Sequence, residues 1–392
     1  MDFTALQRRQ LLLVLYIGFI SLGLPDTILG VAWPQMQLTF GVPLETAGLL
    51  VGLTTIVSFV ASLSTGLVLK RISTGMILTV CALTTAFAML GYGLAPSIYA
   101  IAFATLFFGI GQGAVDTAVN AFMTRHYSAR QMNWIHGCWG MGATGGPMVF
   151  TAIFALGMPW RAGYISVFLI QLCFGLFFMS RLKIWPNEKT ANSVAQEAQQ
   201  TNNTTGKKRF ISPAAGVVFY MLYPGVDSVI GLWGASYLIT ELGSSLATAG
   251  AAITMYWGCQ MTGRFLIGIV SNRFSGAAII RGGLSMALIG IAIIFATATP
   301  VAFIAALAFI GLGLAPLYPT MMHETPKRAG TANLERITGF QVGANMAGCI
   351  VIPTAVGFLV KQPTMSMAII PWVLLIFAAF IITAHEISVR CR

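Results

Sequence analysis

The sequence predicts an all-α membrane protein whose twelve transmembrane helices form two six-helix pseudo-repeats. Composition, recurring apolar segments and an internal repeat together predict this class. Of the 392 residues, 57% are hydrophobic and only 8% are charged, whereas soluble domains carry about 25% charged residues. We therefore interpret the net charge of +11 as a topology signal in short loops and expect no nucleic-acid partner.

Apolar segments of about twenty residues, long enough to cross a bilayer, recur along the chain. Arg8 and Arg9 precede the first of them, which is long enough to span and is therefore not interpreted as a cleavable signal. The predicted spans are 10–32, 46–69, 75–95, 98–122, 133–156, 161–181, 212–238, 247–271, 276–298, 300–322, 335–359 and 365–385.

Lysine and arginine are distributed unequally between the two sides that these spans define. Loops on the side of the termini hold 19 of them, and the opposite loops hold 2, which are Arg161 and Lys361. The remaining one, Arg264, lies inside the eighth span. Because basic loops stay in the cytoplasm, we predict a plasma (inner) membrane protein with both termini cytoplasmic.

Residues 182–210 are the one long polar segment, and their composition is typical of a partly disordered linker. We predict an N-terminal six-helix bundle at 1–181, a cytoplasmic linker at 182–210 and a C-terminal six-helix bundle at 211–392.

The two halves repeat at a constant offset of 202 residues. FFGIGQGA at 107–114 aligns with FIGLGLAP at 309–316, and IHGCWGMGATGG at 135–146 aligns with ITGFQVGANMAG at 337–348. Transporters built from such repeats bind substrate and coupling ions at the repeat interface near mid-membrane.

Apart from Glu335, the first residue of the span 335–359, three carboxylates fall inside predicted spans. Asp116 is followed one helical turn later by Asn120, so both side chains share one helix face. Asp26 follows Pro25 in the first span, and Asp227 lies in the seventh. A carboxylate inside the membrane costs at least ~2.5 kcal/mol, which favours a functional role. The alternative is a structural Asp that a neighbouring helix satisfies.

The motifs that carry these residues resemble a known family. They are Gly109-x-Gly111-x-Gly113-x-x-Asp116-x-x-x-Asn120, Asn133-x-x-His136, Tyr223-x-Gly225-x-Asp227, Gly263-Arg264 and Gly311-x-Gly313-x-Ala315-Pro316. The chain resembles the major facilitator superfamily and, within it, the fucose permease-like sugar symporters. The loop after span 2 departs from the usual motif, because Lys70 stands where an acidic residue is usual.

This resemblance implies the major facilitator fold and sugar–proton symport, with Asp26 and Asp116 as the coupling acids and Asp227 as the next candidate. We expect Arg264 to interact with Asp116 or His136 in one conformation and to release it in the other. The alternative is a permanent structural pair between spans 5 and 8. For His136 itself, packing and proton relay both remain open.

Polar and aromatic side chains in the spans are the candidates for solute contact, since sugar hydroxyls bind amides and sugar faces stack on aromatic rings. For the aromatic residues the alternative is a place in the interfacial belt. Two prolines of span 10, Pro316 and Pro319, are expected to break or kink its helix. The candidate substrate-binding residues are Asn120, Asn133, Trp139, Tyr223, Trp233, Tyr237, Trp257, Gln260, Tyr318, Gln341 and Asn345.

The leading hypothesis is a secondary active transporter that moves a sugar or similar small polar solute by alternating access. The alternative is a proton-driven exporter of drugs or metabolites, which the 19 methionines favour. No nucleotide loop, metal cluster or nucleophile–base spacing occurs in the sequence, so we expect no enzyme and no cofactor. The expected coupling ion is the proton, and sodium remains an alternative. The expected partners are a small-molecule solute and the lipid bilayer, and the protein is expected to be a monomer.

Overall fold

A computed structural model describes residues 4–69, 71–127, 129–185, 211–270, 273–329, 334–361 and 365–391, and the regular secondary structure of this part of the chain is helical. Most of the predicted linker, residues 186–210, lies outside the described residues. The α-helices are α1 (Ala5–Gly23), α2 (Leu29–Phe40), α3 (Thr46–Val68), α4 (Thr74–Leu94), α5 (Ile98–His126), α6 (Ala129–Ala155), α7 (Trp160–Ser180), α8 (Ile211–Thr240), α9 (Leu246–Val270), α10 (Gly276–Ala296), α11 (Pro300–Leu314), α12 (Leu317–Ala329), α13 (Leu334–Val360) and α14 (Ile370–Arg390).

The fourteen α-helices in the described part of the chain correspond to the twelve predicted spans, because the first span is divided into α1 and α2 and the tenth into α11 and α12. Within the described residues, nine helices are long and apolar enough to cross a membrane by length and composition. The break between α11 and α12 coincides with Pro316, as the sequence predicts. The break between α1 and α2 contains Pro25 and is not predicted, and α2 continues to Phe40, beyond the predicted end at residue 32.

The first compact unit comprises Met1–Val42 and Leu53–Gln199. In it, α1 packs along α6, while α4 packs against both α5 and α7. Apolar side chains such as Leu15, Phe19 and Val119 are almost completely buried between these helices. Dense helix contacts of this kind hold the polar side chains of α5 in fixed positions.

The second compact unit comprises Pro43–Gly52 and Gln200–Arg392 and repeats the same pairings. In it, α8 packs along α13, and α10 packs against α11 and α14. The first turns of α3 also belong to this unit, where Thr354 Oγ1 donates to Gly48 O at 3.1 Å. Beside this contact, Lys361 Nζ lies 2.6 Å from Glu45 Oε1.

Glu45 precedes α3 and is outside the membrane-spanning segments. Burial alone would raise the pKa of its carboxyl. The hydrogen bond and positive charge of Lys361, with a backbone hydrogen bond, outweigh burial and hold the pKa below its ordinary value. The side chain of Glu45 is 6% exposed and that of Lys361 is 56% exposed, so the pair is shielded on one side only.

Helix caps recur at the repeat offset. Ser73 accepts a hydrogen bond from Met76 N at the start of α4, and Ser275 does the same for Ala278 N at the start of α10. A hydroxyl at this position satisfies one of the backbone donors that a helix start leaves unpaired. The equivalent helices α4 and α10 therefore begin at equivalent residues, Thr74 and Gly276.

Glycines set the closest helix contacts, also at equivalent positions. A Cβ on Gly23 would collide with Trp139 O, and one on Gly146 would collide with Leu24 O. In the second unit, Gly225 lies against Ile352, and Gly348 lies against Met221 O. Small residues allow membrane helices to approach closely, which brings α6 against the α1–α2 break.

Candidate functional site

The break between α1 and α2 places Asp26 outside regular helix. Its backbone N–H still donates to Gly23 O at 3.2 Å, while the neighbouring Thr27 Oγ1 donates to Ala143 O at 2.7 Å. The first contact closes a tight turn, and the second anchors the turn to α6. The Asp26 carboxylate is consequently held at a defined depth in the first unit.

Gln112 of α5 is the principal partner of Asp26. Its Nε2 donates to Asp26 Oδ1 at 2.6 Å, and Trp139 of α6 is a second hydrogen-bond donor to the same carboxylate. The other end of the amide, Gln112 Oε1, lies 3.4 Å from Ser58 Oγ of α3. Hydrogen bonds to an ionised carboxylate are stronger than neutral ones, so these contacts fix its orientation.

Asp116 and Asn120 continue the same face of α5. Asn120 Nδ2 donates to Asp116 Oδ1 at 2.9 Å, as their spacing predicts. Asp116 is exposed within the first unit, and its carboxylate interacts electrostatically with that of Asp26. We call Asp26, Gln112, Asp116, Asn120 and Trp139 the first carboxylate cluster.

The second unit holds another buried network around Asp227 of α8. Its Oδ1 accepts hydrogen bonds from Tyr256 Oη and from Gln260 Nε2, both on α9. Arg264 of α9 in turn donates from Nη2 to Gln260 Oε1 at 2.8 Å. Asp227, Tyr256, Gln260 and Arg264 form the second carboxylate cluster, and Tyr223 lies beside Arg264.

Several other predicted solute contacts are deeply buried. Trp233 is fully buried and donates from Nε1 to Pro353 O at 2.9 Å, and the Tyr237 ring stacks on Phe303. Thr325 Oγ1 donates to Gln341 Oε1 at 3.2 Å. The helix contacts of these side chains occupy their polar groups or rings.

The remaining candidates lie on α6, α9, α12 and α13. Trp257 packs edge-on against Tyr256, Tyr318 packs edge-on against Tyr220, and Asn345 is half-buried. The His136 ring makes an edge contact with Phe19, with 5.5 Å between centroids. Asn133 lies in α6, but its side chain is outside the described residues.

Two residues of these clusters are absent from the sequence-based candidates. Gln112 precedes Asp116 by four residues, so Gln112, Asp116 and Asn120 lie on one face of the helix. The sequence-based candidates include only Asp116 and Asn120. Tyr256 likewise precedes Gln260 by one turn. The signal was present in both cases, since polar side chains repeated at helical spacing inside a span need partners.

The chemistry of these clusters is that of proton exchange and hydrogen bonding inside a membrane. Carboxylates can take up and release a proton, and amides can bind hydroxyl groups. No group of three histidine, cysteine, aspartate or glutamate side chains is placed to hold a metal ion within the described part of the chain. The fold and the clusters define a polytopic helical membrane protein with polar sites between its helices.

The family follows from the sequence match over residues 15–232, which fit the Major Facilitator Superfamily. The chain belongs to this superfamily, and it is a multi-pass membrane transporter rather than an enzyme. Transporters of this family bind small-molecule solutes within the membrane.

Individual relatives have low sequence identity to this chain but align with most of its length. The chain is 20% identical to the glucose/mannose transporter GlcP of Bacillus subtilis over 83% of this chain and 80% of that protein. It is 23% identical to the hexuronate transporter of the same organism over 71% of this chain and 72% of that protein. The crystal structure of a mutant of the nucleoside transporter NupG matches with a TM-score of 0.75 at 16% identity, covering 98% of this chain and 99% of that one.

Proposed function

We propose that this protein is a proton-coupled symporter for a sugar or similar small polar solute and that it works by alternating access. The proposal includes membership of the fucose permease-like subgroup, a plasma-membrane monomer with cytoplasmic termini, and six-helix bundles at 1–181 and 211–392. The observation that carries it is the first carboxylate cluster, in which Asp26 and Asp116 each accept a hydrogen bond from an amide.

Two carboxylates this close favour proton uptake by at least one of them, because like charges repel. Coupling requires that solute binding differ between the protonated and deprotonated states. Asn120 supports such a link, because its amide contacts Asp116 and retains a second donor hydrogen for a solute hydroxyl. The proton and the solute would then compete for or share the same side chains.

The names of the relatives support the solute class. Glucose, mannose and hexuronates are small polyols with or without a carboxylate, and the amides and aromatic rings of the candidate set suit such molecules. The proposed solute contacts are Asn120, Asn133, Trp139, Tyr223, Trp233, Trp257, Gln260, Tyr318, Gln341 and Asn345. Of these, Trp233, Gln260 and Gln341 are buried in helix contacts and would reach a solute only after a rearrangement of the helices. The proposed proton-coupling residues are Asp26, Asp116, Asp227, Arg264 and His136.

Uptake by purified protein in liposomes tests the proposal. Radiolabelled D-glucose and D-glucuronate are offered with an acidic exterior, in sodium-free and in sodium-containing buffer. We expect accumulation of at least one solute without sodium, accompanied by alkalinisation of the exterior. Solute loss driven by an opposite proton movement would instead identify the exporter, and accumulation that requires sodium would overturn proton coupling.

A further inference from the structure

A glutamine separates acid and base in the second carboxylate cluster. Gln260 is 1% exposed. Its Nε2 donates to the Asp227 carboxylate, and its Oε1 accepts from Arg264 Nη2 at 2.8 Å. Opposite charges are thus joined through one buried amide.

The chemistry of the two ends permits one orientation of this amide. An arginine guanidinium carries only donors, and an ionised carboxylate carries only acceptors. The amide nitrogen must therefore face Asp227 while the amide oxygen faces Arg264. The amide dipole then lies along the field between the two charges, which stabilises the arrangement.

We propose that Gln260 is a positioning residue through which the protonation state of Asp227 controls how firmly Arg264 is held. When Asp227 takes up a proton from water, its carboxyl gains an O–H donor that needs an acceptor. On Oδ1 the acceptors within the cluster are Tyr256 Oη and Gln260 Oε1, whereas a proton on Oδ2 leaves Oδ1 able to keep both of its donors. The carboxyl also loses the negative charge that aligned the amide.

Either response weakens the hold on Arg264. If Gln260 Oε1 accepts the new proton, the amide must turn and present its NH₂ group to the guanidinium, which cannot accept a hydrogen bond. If Tyr256 accepts instead, or if the proton is on Oδ2, the amide keeps its place but no longer links two charges. Proton uptake at Asp227 thereby weakens one of the contacts that hold the guanidinium, which Tyr223 also contacts, and favours its movement toward another anionic or carbonyl partner.

Other titratable groups interact with Asp227 itself or with neighbouring residues of α8, and they lie on α8 or on the helices packed against it. They are Tyr223 of α8, Tyr256 and Arg264 of α9, Tyr318 of α12, Cys349 of α13, whose Sγ contacts Pro224 O, and His385 of α14, whose ring lies near Phe219. Tyrosine and arginine ordinarily titrate at about pH 10 or above. A readout specific for carboxyl groups separates Asp227 from His385 and Cys349.

The inference deepens the proposed function, but its test needs no transport, so the two can fail separately. Full-length protein in lipid nanodiscs is titrated from mildly acidic to mildly alkaline pH and followed by infrared difference spectroscopy of the protonated carboxyl C=O band. The part of the band that disappears in Asp227→Asn is assigned to Asp227. Its midpoint is then measured in Gln260→Met, Arg264→Met and the double variant.

A double-mutant cycle decides whether the coupling passes through the glutamine. Each single variant should shift the Asp227 midpoint alkaline by about one pH unit, since each removes a group that favours the charged form. In the Gln260→Met background, Arg264→Met should add less than it does alone, because only the direct interaction between the two charges remains. Equal shifts from Arg264→Met in both backgrounds would overturn the proposal, because the charges would then interact without the amide.

Two further variants keep the test decisive. Gln171→Met removes another buried glutamine, whose Nε2 donates to Ser21 O at 2.8 Å in the first unit. It should lower stability and leave the Asp227 midpoint unchanged.

Gln260→Glu preserves side-chain size and should shift the midpoint further than Gln260→Met, because it adds a negative charge beside Asp227. A wild-type midpoint in Gln260→Glu would overturn the proposal even if Gln260→Met did not fold.

Discussion

The two carboxylate clusters differ in how they balance charge, although the helices around them repeat. The first cluster combines two carboxylates with two amides and an indole, whereas the second links one carboxylate to an arginine through Gln260. At the repeat offset, Ser58 corresponds to Gln260, so the amide partner comes from α5 in one half and from α9 in the other. At the same offset Asp26 corresponds to Ser228 and Asp227 to Pro25, so the repeat reproduces the helix packing, while the positions and partners of the carboxylates differ between the halves.

The largest expected effect is the loss of pH-driven solute accumulation when the carboxylates of the first cluster are replaced. Asn keeps the shape and hydrogen bonding of a protonated Asp but cannot release a proton. We expect Asp26→Asn and Asp116→Asn to reduce pH-driven accumulation to background in liposomes. Solute counterflow, which needs no net proton movement, should remain measurable in at least one variant. Accumulation near the wild-type level in the double Asn variant would move proton coupling to Asp227.

The repeated scaffold is tested with matched glycines. Gly146→Ala and Gly348→Ala each place a methyl group against the backbone of a neighbouring helix. Because backbone cannot yield as a side chain does, we expect each to lower the free energy of unfolding by about 3 kcal/mol.

The controls are Gly66→Ala and Gly268→Ala, which also correspond at the repeat offset and have open space around the added methyl. They should leave thermal unfolding in detergent nearly unchanged. A marked difference between Gly146→Ala and Gly348→Ala would show that the two halves do not share one packing scheme.

A smaller effect is expected where the first cluster holds Asp26. Gln112→Met keeps the length of the side chain but removes the donor to the carboxylate. A hydrogen bond to a charged group contributes about 1.5 kcal/mol or more, which corresponds to roughly a tenfold change, so we expect solute uptake at neutral pH to fall by about that factor. Gln112→Glu, whose carboxyl donates only when protonated, should regain uptake at acidic pH. Uptake in Gln112→Met equal to wild type across the pH range would contradict a role for Gln112.

The smallest effect concerns the direct ion pair of the second unit. The pKa of Glu45 is held below its ordinary value, so the pair stabilises the fold above that ordinary value and loses the contribution as pH falls through the lowered one. Lys361→Met should therefore lower stability at neutral pH and have less effect in acid. Since Lys361 is half exposed, solvent screening limits the loss to about 1 kcal/mol.

Lys361→Arg is the matched control, because it retains the charge and should keep most of the stability. The measurement is thermal unfolding at neutral and acidic pH. An equal loss at both pH values would show that Lys361 acts through packing rather than through Glu45.

The sequence alone was enough to predict the superfamily and the all-helical membrane fold. Charge was scarce, apolar segments had the length of a bilayer, and the offset of 202 residues marked the repeat. Pro316 correctly predicted a broken helix, because proline lacks the N–H that helix continuation requires. These features are local or periodic, so the order of residues expresses them directly.

Only the tertiary structure decided which partners the acids have. Asp26 and Gln112 are 86 positions apart in the sequence and meet only in the folded protein. The helices that carry them are packed through glycines: Gly109 and Gly113 allow α5 to approach α3, and Gly146 allows α6 to approach the α1–α2 break. The chain likewise gives no local sign that Glu45 pairs with Lys361. Such contacts depend on helix packing, which is set by the shapes of the helix surfaces as well as by charge. The order of residues in a single sequence does not show which distant residues will be brought together.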